Sequence, residues 1–185
     1  MELKTKRLIL RQMTNKDIKD IVENINNLNV SKWLLVVPYP YKIKDANFWI
    51  NQQKKEARNK ERKDYQFGIE LKSEKKIIGG CGLKKIDKFQ GTCEIGYWIG
   101  ENYWRQGYGS EAIDAILNMA FNKLGLRRVE AHVHEGNPSS GKLLEKLNFK
   151  LEGMKRKASV GKADKEIRDS YIYGLLKEEY KPKMI

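Results

Sequence analysis

The stretch Tyr103-Trp104-Arg105-Gln106-Gly107-Tyr108-Gly109-Ser110-Glu111-Ala112 decides the fold of this chain. A strand-like segment, residues 93–99, leads into it. After it, apolar residues recur at helical spacing: Ala112, Ile113, Ile116, Leu117, Ala120, Phe121 and Leu124. The pattern therefore predicts a strand, a glycine-containing turn and the start of a helix.

This order of elements is suited to binding an anion. The first N–H groups of a helix have no acceptor within the helix, and the helix dipole adds positive charge at that end. Gly107 and Gly109 have no Cβ, so phosphate oxygens can approach the main chain closely. The stretch predicts a phosphate or pyrophosphate site near residues 104–110. A simple helix-entry turn with two convenient glycines explains it equally well.

Length and composition indicate one folded unit. The chain has 185 residues, is 40% hydrophobic and 33% charged, and fits a single soluble globular domain over residues 1–185. No apolar run approaches the ~20 residues of a membrane span. Residues 1–7 lack the apolar core of a secretory signal, so we expect a cytoplasmic protein without membrane contact.

The net charge of +13 favours anionic partners, such as a polyphosphate cofactor, RNA, a ribosome surface or an acidic protein. The charged block at residues 54–63 mixes both signs and is typical of a solvated helix face.

Cys81 and Cys93 lie on neighbouring predicted strands and could face each other. Two buried core residues explain them better than a disulfide in a reducing cytosol. The two cysteines and two histidines lack ligand-like spacing, which argues against zinc.

The remaining pattern predicts a mixed α/β sheet of about seven strands flanked by about four helices. Thr14 and Asp17 form a capping-box signal before the first helix, and Asp45 caps a long helix that reaches about Arg62. Residues 33–41 contain two prolines and should be irregular. A strand–helix–strand unit around the glycine turn predicts a parallel pair. The predicted strands are residues 3–10, 65–71, 77–83, 93–99, 129–133, 149–158 and 168–176.

Several ordered motifs resemble those of the GNAT acetyltransferase superfamily. They are Leu3-Lys4-Thr5-Lys6-Arg7-Leu8-Ile9-Leu10-Arg11, Ile77-Ile78-Gly79-Gly80-Cys81-Gly82-Leu83, Glu94-Ile95-Gly96-Tyr97-Trp98-Ile99, Asn137-Pro138-Ser139-Ser140 and Leu143-Leu144-Glu145-Lys146-Leu147-Asn148-Phe149. The resemblance covers nearly the whole chain. It is greatest to the branch of ribosomal-protein N-terminal acetyltransferases, the RimJ/RimL-like group.

The chain departs from the superfamily pattern at two positions. Trp104 stands where the cofactor loop usually begins with Gln or Arg, so phosphate contacts there would rest on backbone N–H groups. Asn148 replaces the glycine that usually ends the late helix. Asn is the cheapest non-glycine residue in a left-handed conformation, so the fold should tolerate it.

The resemblance implies that acetyl-CoA binds where strands 93–99 and 128–133 move apart, with no metal involved. The pyrophosphate would lie on the N–H groups of residues 105–109, beside Trp104, with the Ser110 hydroxyl as a further donor. The backbone of Trp98 and Ile99 would pair with the pantetheine arm, and the Ile99 N–H would stabilise the oxyanion. Asn137 would contact the cofactor from the other wall. The cofactor-binding residues would thus be Trp98, Ile99, Trp104, Arg105, Gln106, Gly107, Tyr108, Gly109, Ser110 and Asn137.

The resemblance also implies direct attack of an amine on the thioester while both substrates are bound. Glu94 is the first candidate for the general base, acting through a water, although an exposed strand residue would look the same. Ser140 is the candidate acid for the leaving thiolate, because Leu144 occupies the place of the family's usual tyrosine. A helix-start serine bonded to the backbone explains it equally well. Tyr171 or Tyr173 could substitute, and ordinary packing explains His132 and His134 better than a role as bases.

The acceptor that these features favour is the N-terminal α-amine of a protein, with ribosome association among the partners. Two alternatives stay open: a small amine such as a polyamine, an amino acid or an aminoglycoside, and a basic RNA- or ribosome-binding protein on the same fold. Acceptor specificity should lie in residues 33–41, the following helix and residues 160–165. The sequence is compatible with a monomer or a homodimer.

Overall fold

A computed structural model describes residues 1–59 and 62–182 and shows a single eight-stranded mixed sheet. The strands are β1 (Leu3–Lys4), β2 (Leu8–Arg11), β3 (Tyr65–Leu71), β4 (Lys76–Asp87), β5 (Thr92–Ile99), β6 (Arg128–His134), β7 (Lys150–Val160) and β8 (Ile167–Leu176). The helices are α1 (Ile18–Ile25), α2 (Leu28–Ser31), α3 (Ile43–Ala57), α4 (Tyr108–Asn118) and α5 (Pro138–Lys146). The strand order is β1-β2-β3-β4-β5-β6-β8-β7.

The α/β class is confirmed, but the first predicted strand was wrong. Residues 3–10 form two short antiparallel strands, with Leu3 opposite Leu10, because the chain turns after Lys4. The Thr5 N–H donates to the Leu8 carbonyl at 3.1 Å and closes this turn. The split raises the strand number to eight, and the short α2 raises the helix number to five.

The ends of the first long helices agree only in part with the prediction. The Asp17 carboxylate accepts the Thr14 N–H at 2.7 Å, as the capping-box signal indicated. Asp45 accepts the Lys42 N–H at 2.9 Å and so caps α3 from its first turn. The helix ends at Ala57 rather than near Arg62, and residues 60–61 of that prediction lie outside the described residues.

The sheet has two packed faces because side chains alternate along its central strands. On one side, which we call the α4 face, residues such as Phe67, Cys81 and Ile95 pack with α4 and α5 in the main core. On the other side, the α3 face, a smaller core joins Ile21 of α1 and Ile50 of α3. The predicted parallel pair is also confirmed, with Cys93 of β5 opposite Val129 of β6.

The register of β4 and β5 excludes the facing arrangement that was one possibility for Cys81 and Cys93. Cys81 lies opposite Tyr97, which is four positions along β5 from Cys93. Both cysteines are free and buried, as two core residues should be. Burial raises the pKa of the Cys81 thiol well above its usual range and that of Cys93 to about 12.

The left-handed position expected at the end of α5 is present, with Asn148 at φ 68°. Across residues 1–59 and 62–182, no helix combines the length and apolar character needed to cross a membrane.

Candidate active site

The centre of the candidate site is an opening between two parallel strands. β5 and β6 pair from Thr92 and Arg128 up to Ile95 and Ala131. Beyond that point β5 stays with β4 as far as Ile99, while β6 stays with β8 as far as His134. The two strands therefore move apart after Ile95, and unpaired main chain faces the gap between them.

The main chain of β5 alternates between the gap and β4. The Gly100 N–H donates to the Ile78 carbonyl of β4 at 2.8 Å. A Cβ placed on Gly79 would lie 2.5 Å from the Trp98 carbonyl oxygen, so that carbonyl also points to β4. Alternation then turns the N–H groups of Tyr97 and Ile99 into the gap.

This alternation corrects one expected contact. The backbone of Trp98 is directed to β4 and cannot pair with a pantetheine arm in the gap. Its indole instead lies over Gly80, where a Cβ would come within 2.5 Å of the ring nitrogen. The backbone of Tyr97, and not that of Trp98, faces the gap together with the backbone of Ile99.

The start of α4 faces the same opening. Gly107 is the N-cap, with φ 84°, and Arg105 is also left-handed, with φ 60°. The first N–H to find its acceptor in the helix is that of Glu111, which donates to the Gly107 carbonyl at 3.1 Å. The N–H groups of the preceding turn are therefore available to an anion. A Cβ on Gly107 would meet only the end of the Arg7 side chain, at 3.2 Å, so this surface is open.

Gly109 has a second role that the sequence did not reveal. A Cβ there would lie 3.2 Å from Leu143 Cδ2 of α5 and 3.9 Å from Ile99 Cγ1. The missing side chain therefore lets α5 approach α4 at the mouth of the gap. Phosphate access and helix packing both favour glycine at this position.

The side chains of Trp104, Arg105 and Gln106 in the loop before α4 differ from one another in their contacts. The Trp104 indole N–H donates to the Ile99 carbonyl at 2.7 Å, and Gln106 Nε2 donates to the Asn102 carbonyl at 2.9 Å. These two side chains stabilise the loop from within. The guanidinium of Arg105 is exposed, and the described part of the chain provides no partner for it. It is the loop side chain that can extend to a bound phosphate.

A buried carboxylate fastens the loop to the first hairpin. Glu111 is 1% exposed, and its oxygens accept from Thr5 Oγ1 at 2.6 Å, from the Arg7 N–H at 2.8 Å and from Arg7 Nε at 2.7 Å. Burial alone would raise the pKa of Glu111, but the hydrogen bonds from Thr5 and Arg7 outweigh it and lower the pKa. Arg7 also donates from Nη1 to the Gln106 carbonyl at 2.9 Å, and its guanidinium lies 4.4 Å from the Tyr108 ring centroid.

The opposite wall is the start of α5. Asn137 is its N-cap, and its amide oxygen accepts the Ser140 N–H at 3.3 Å. Ser140 Oγ lies 2.7 Å from Tyr97 Oη, so the two hydroxyls form a pair. Burial, partly offset by this hydrogen bond, raises the pKa of Tyr97 to about 12. Tyr173, proposed from the sequence as a substitute acid, points instead to Glu145 at 3.4 Å.

Glu94 lies on the α3 face at the closed end of the gap. Its Oε1 accepts from Lys85 Nζ at 2.8 Å, and its side chain is 27% exposed. Glu130 lies beside it on β6 and bonds Arg128 Nε at 3.0 Å. Five residues of extended chain, about 16 Å, separate Glu94 from Ile99, so any proton transfer between them needs water.

The two histidines have different environments. Ordinary packing was expected to explain both, but it explains only His134. His134 is buried, and its Nδ1 lies 3.2 Å from Ser159 Oγ. Burial and the Arg168 charge lower the pKa of His134. His132 is exposed at the position where β6 leaves β5, with Nε2 4.0 Å from Glu130 Oε2. Within residues 1–59 and 62–182, no three His, Cys, Asp or Glu side chains are grouped as a metal site requires.

Arg7, Glu111 and Tyr97 also belong to the site, although the sequence did not predict them there. Arg7 and Glu111 stand inside the quoted motifs but are 104 residues apart, and Tyr97 and Ser140 are 43 apart. One feature of the sequence could have predicted a role for Glu111: it is a charged residue at the start of an otherwise apolar helix.

Comparison with known proteins agrees with this geometry. The family described as acetyltransferase (GNAT) domain matches residues 7–150. An uncharacterized N-acetyltransferase, p20 of Bacillus licheniformis, is 34% identical over 180 residues, which cover 96% of this chain and 97% of that protein. A ribosomal-protein-serine acetyltransferase of Escherichia coli is 32% identical over 85 residues, 46% of this chain and 48% of that protein.

A solved structure of similar architecture is that of a GNAT-family acetyltransferase from Bacillus anthracis. It is 27% identical, has a TM-score of 0.81, and the match covers 97% of this chain and 100% of that one. The opening beside β5, the helix start of α4 and these relatives lead to one conclusion. The chain belongs to the GNAT acetyltransferase family and is an N-acetyltransferase of the kind that uses acetyl-CoA.

Proposed function

We propose that this enzyme acetylates the N-terminal α-amine of a protein, by direct attack of the amine while both substrates are bound. The observation that carries the proposal is the gap after Ile95. It places gap-facing main chain of β5 next to the free N–H groups of α4. A thioester held there lies between a backbone donor and an anion site.

The same geometry supports a cofactor-binding set. The pyrophosphate would lie on the N–H groups of residues 105–109, with Ser110 Oγ as a further donor and Arg105 extending to the phosphates. Trp104 and Gln106 would hold the loop in shape. Ile99 and Tyr97 would pair with the pantetheine arm, and Asn137 would close the other wall.

Acetyl-CoA supplies the thioester carbonyl that the amine attacks. The Ile99 N–H would donate to the carbonyl oxygen as negative charge develops on it. The amine must first lose its proton. An α-amine has a pKa of about 7.7–8.0 and a lysine about 10.4, so an α-amine needs less help near neutral pH. Glu94, relayed by water, would accept the proton.

If Glu94 is the base, Glu94→Gln should lower kcat about 100-fold and leave the Kd for acetyl-CoA unchanged. The carboxamide keeps a hydrogen bond to Lys85 but cannot accept the proton. Thiol release at saturating acetyl-CoA, measured across pH, checks this. Lys85→Met is the matched control, since it removes the partner and keeps the base. A wild-type rate and pH profile for Glu94→Gln would exclude this role.

The Tyr97–Ser140 pair would act on the leaving group. A thiol has a pKa of about 8.5, far below that of Tyr97, so the hydroxyls cannot give up a proton to the thiolate at equilibrium. They can donate a hydrogen bond to it. The proton that finally balances the thiolate would come from the nitrogen of the attacking amine.

Because the hydroxyls act as a pair, Ser140→Ala and Tyr97→Phe should each lower kcat about tenfold with little change in the KM for acetyl-CoA. The double variant should be no slower than either single one, since each single change already breaks the hydroxyl pair. Tyr171→Phe, at the other tyrosine considered from the sequence, should keep the wild-type rate. Full activity of Ser140→Ala would leave that residue a purely structural role at the start of α5.

Two features bear on the acceptor. Relatedness to a ribosomal-protein-serine acetyltransferase and the charge of +13 support a protein N-terminus presented by the ribosome. The adjacent carboxylates of Glu94 and Glu130 favour a second candidate, a small cationic amine. A basic protein that binds ribosomal RNA would be compatible with the first candidate.

The test is thiol release from acetyl-CoA against peptides with different N-terminal residues, spermidine, free amino acids and an aminoglycoside. Calorimetric titration with acetyl-CoA comes first. Turnover on peptides alone would support the proposal. Turnover on small amines alone would move the enzyme to the second candidate. Binding of ribosomal RNA without turnover on any amine would contradict both.

A further inference from the structure

A cavity of about 280 Å³ lies on the α3 face, between α3 and the strands β3 and β4. Its size is near the lower end of the range for small-ligand pockets, about 300–1,000 Å³. Trp49 and Val36 form apolar parts of the wall. The rest of the lining is rich in carboxamides, from Gln12, Gln52, Gln53 and Gln66.

Two of these carboxamides have buried atoms that find no partner in the part of the chain that the structure describes. Gln53 is 7% exposed, and neither its Nε2 nor its Oε1 has a hydrogen-bond partner among residues 1–59 and 62–182. Gln66 Nε2 is likewise buried and unpartnered within that range. A buried polar group left unpaired costs roughly 1–3 kcal/mol. Leucine or methionine at position 53 would avoid this cost, so packing alone does not explain a carboxamide there.

The charges around the cavity select for a neutral ligand. Its lining includes two acidic side chains, Glu56 and Asp64, and two basic ones, Arg62 and Lys84. Such a balance gives no net attraction to a polycation. A carboxamide both donates and accepts, which complements a peptide unit with its N–H and its carbonyl.

A row of neighbouring backbone positions crosses the sheet from the cavity to the gap. Gln66 of β3 lies opposite Gly82 of β4, which lies opposite Gly96 of β5. Strands are about 4.8 Å apart, so the row spans about 10 Å. The Gln66 Oε1 reaches over Gly82, where a Cβ would lie 2.5 Å from it. Above Gly96, a Cβ would meet only the end of Lys84, at 3.9 Å.

We propose that this cavity binds a peptide unit of the acceptor, at the third residue after the acetylated amine. An extended peptide rises about 3.3 Å per residue, so three residues span the row from Gly96 to Gln66. The unpartnered amide atoms have essentially no exposed surface, so Gln53 and Gln66 would turn their carboxamides into the cavity to pair with that unit. The inference rests on the proposed function, because it assigns the amine end of the peptide to the gap beside Gly96.

The test is calorimetric binding of two probes to the CoA-saturated protein. One is serinamide; the other is a tetrapeptide amide of serine followed by three alanines. Wild type should bind the tetrapeptide more tightly than serinamide. Gln53→Met should weaken tetrapeptide binding about tenfold and leave serinamide binding unchanged. Asn51→Met, an exposed site on the same helix, is the matched control and should behave as wild type.

Two further measurements distinguish the loss of a ligand contact from a loss of folding in Gln53→Met. Gln66→Met should reproduce the loss, and thermal unfolding of Gln53→Met should occur no lower than that of wild type. Equal affinity of wild type and both variants for the tetrapeptide would overturn the inference, as would an equal loss of affinity for serinamide in the variants. Tetrapeptide binding that depends on Gln53 without acetyl transfer would support the cavity and contradict the proposed function. Acetyl transfer to peptides, together with wild-type tetrapeptide affinity in Gln53→Met and Gln66→Met, would support the proposed function and contradict the role of the cavity.

Discussion

Gly107→Val should weaken acetyl-CoA binding about 100-fold or more while the protein still folds. Position 107 has φ 84°, a conformation that a β-branched residue adopts only with strain, and the new side chain would fill the open surface at the start of α4. Two or three charge-assisted hydrogen bonds at about 1.5–3 kcal/mol each would be lost. Calorimetric titration with acetyl-CoA measures the loss.

A matched control separates backbone strain from blockage of the site. Gly125 has φ 69° and nothing within 4 Å of its Cβ position, so Gly125→Val carries similar strain away from the gap. It should lower stability and keep the wild-type affinity for acetyl-CoA. If Gly107→Val bound acetyl-CoA as wild type does, the anion site would not be at this helix start.

Glu111→Gln should lower both stability and acetyl-CoA affinity, because it breaks the contact that holds the loop to the first hairpin. Removal of one partner from a buried ion pair costs about 3–5 kcal/mol, and the lower end applies here because the Arg7 side chain is 39% exposed. Thermal unfolding and calorimetry measure the two effects. Loss of the bond from Arg7 to Gln106 would let the loop depart from its binding conformation.

Asp17→Asn is the control for the stability effect. Asp17 accepts two bonds from Arg11, at 2.9 and 2.8 Å, and Arg11 is the last residue of β2, whereas Arg7 precedes that strand. Both variants should unfold at lower temperature, and Glu111→Gln alone should bind acetyl-CoA more weakly. An equal loss of affinity in both variants would mean that global stability, not the loop contact, governs binding.

The contribution of Glu111 should also depend on pH. Its pKa is lowered in the folded protein, so its stabilising effect is complete above the unfolded value of about 4.3 and is lost as pH falls through the folded value. The difference in melting temperature between wild type and Glu111→Gln should therefore be constant near neutral pH and shrink below about pH 4.3.

The sequence predicted those parts of the site that depend on neighbouring residues. The glycine turn, the apolar spacing of α4 and the alternation of β3–β5 are local patterns, and each led to the observed element. The left-handed Asn148 followed from the same kind of local reasoning. The end of α3 and the turn after Lys4 were missed because Ala57 and Thr5 carry no strong stop or turn signal.

By itself, the sequence determined most of the order of elements, the glycine turn before α4 and the family, because backbone propensities and side-chain periodicity act over a few residues. Only the tertiary structure decided which side chains meet. The Arg7–Glu111 contact, the Tyr97–Ser140 pair, the separation of Cys81 from Cys93 and the burial of amide atoms of Gln53 and Gln66 all depend on strand register and helix packing. Those are fixed by the burial of the whole core, which joins residues far apart in the chain.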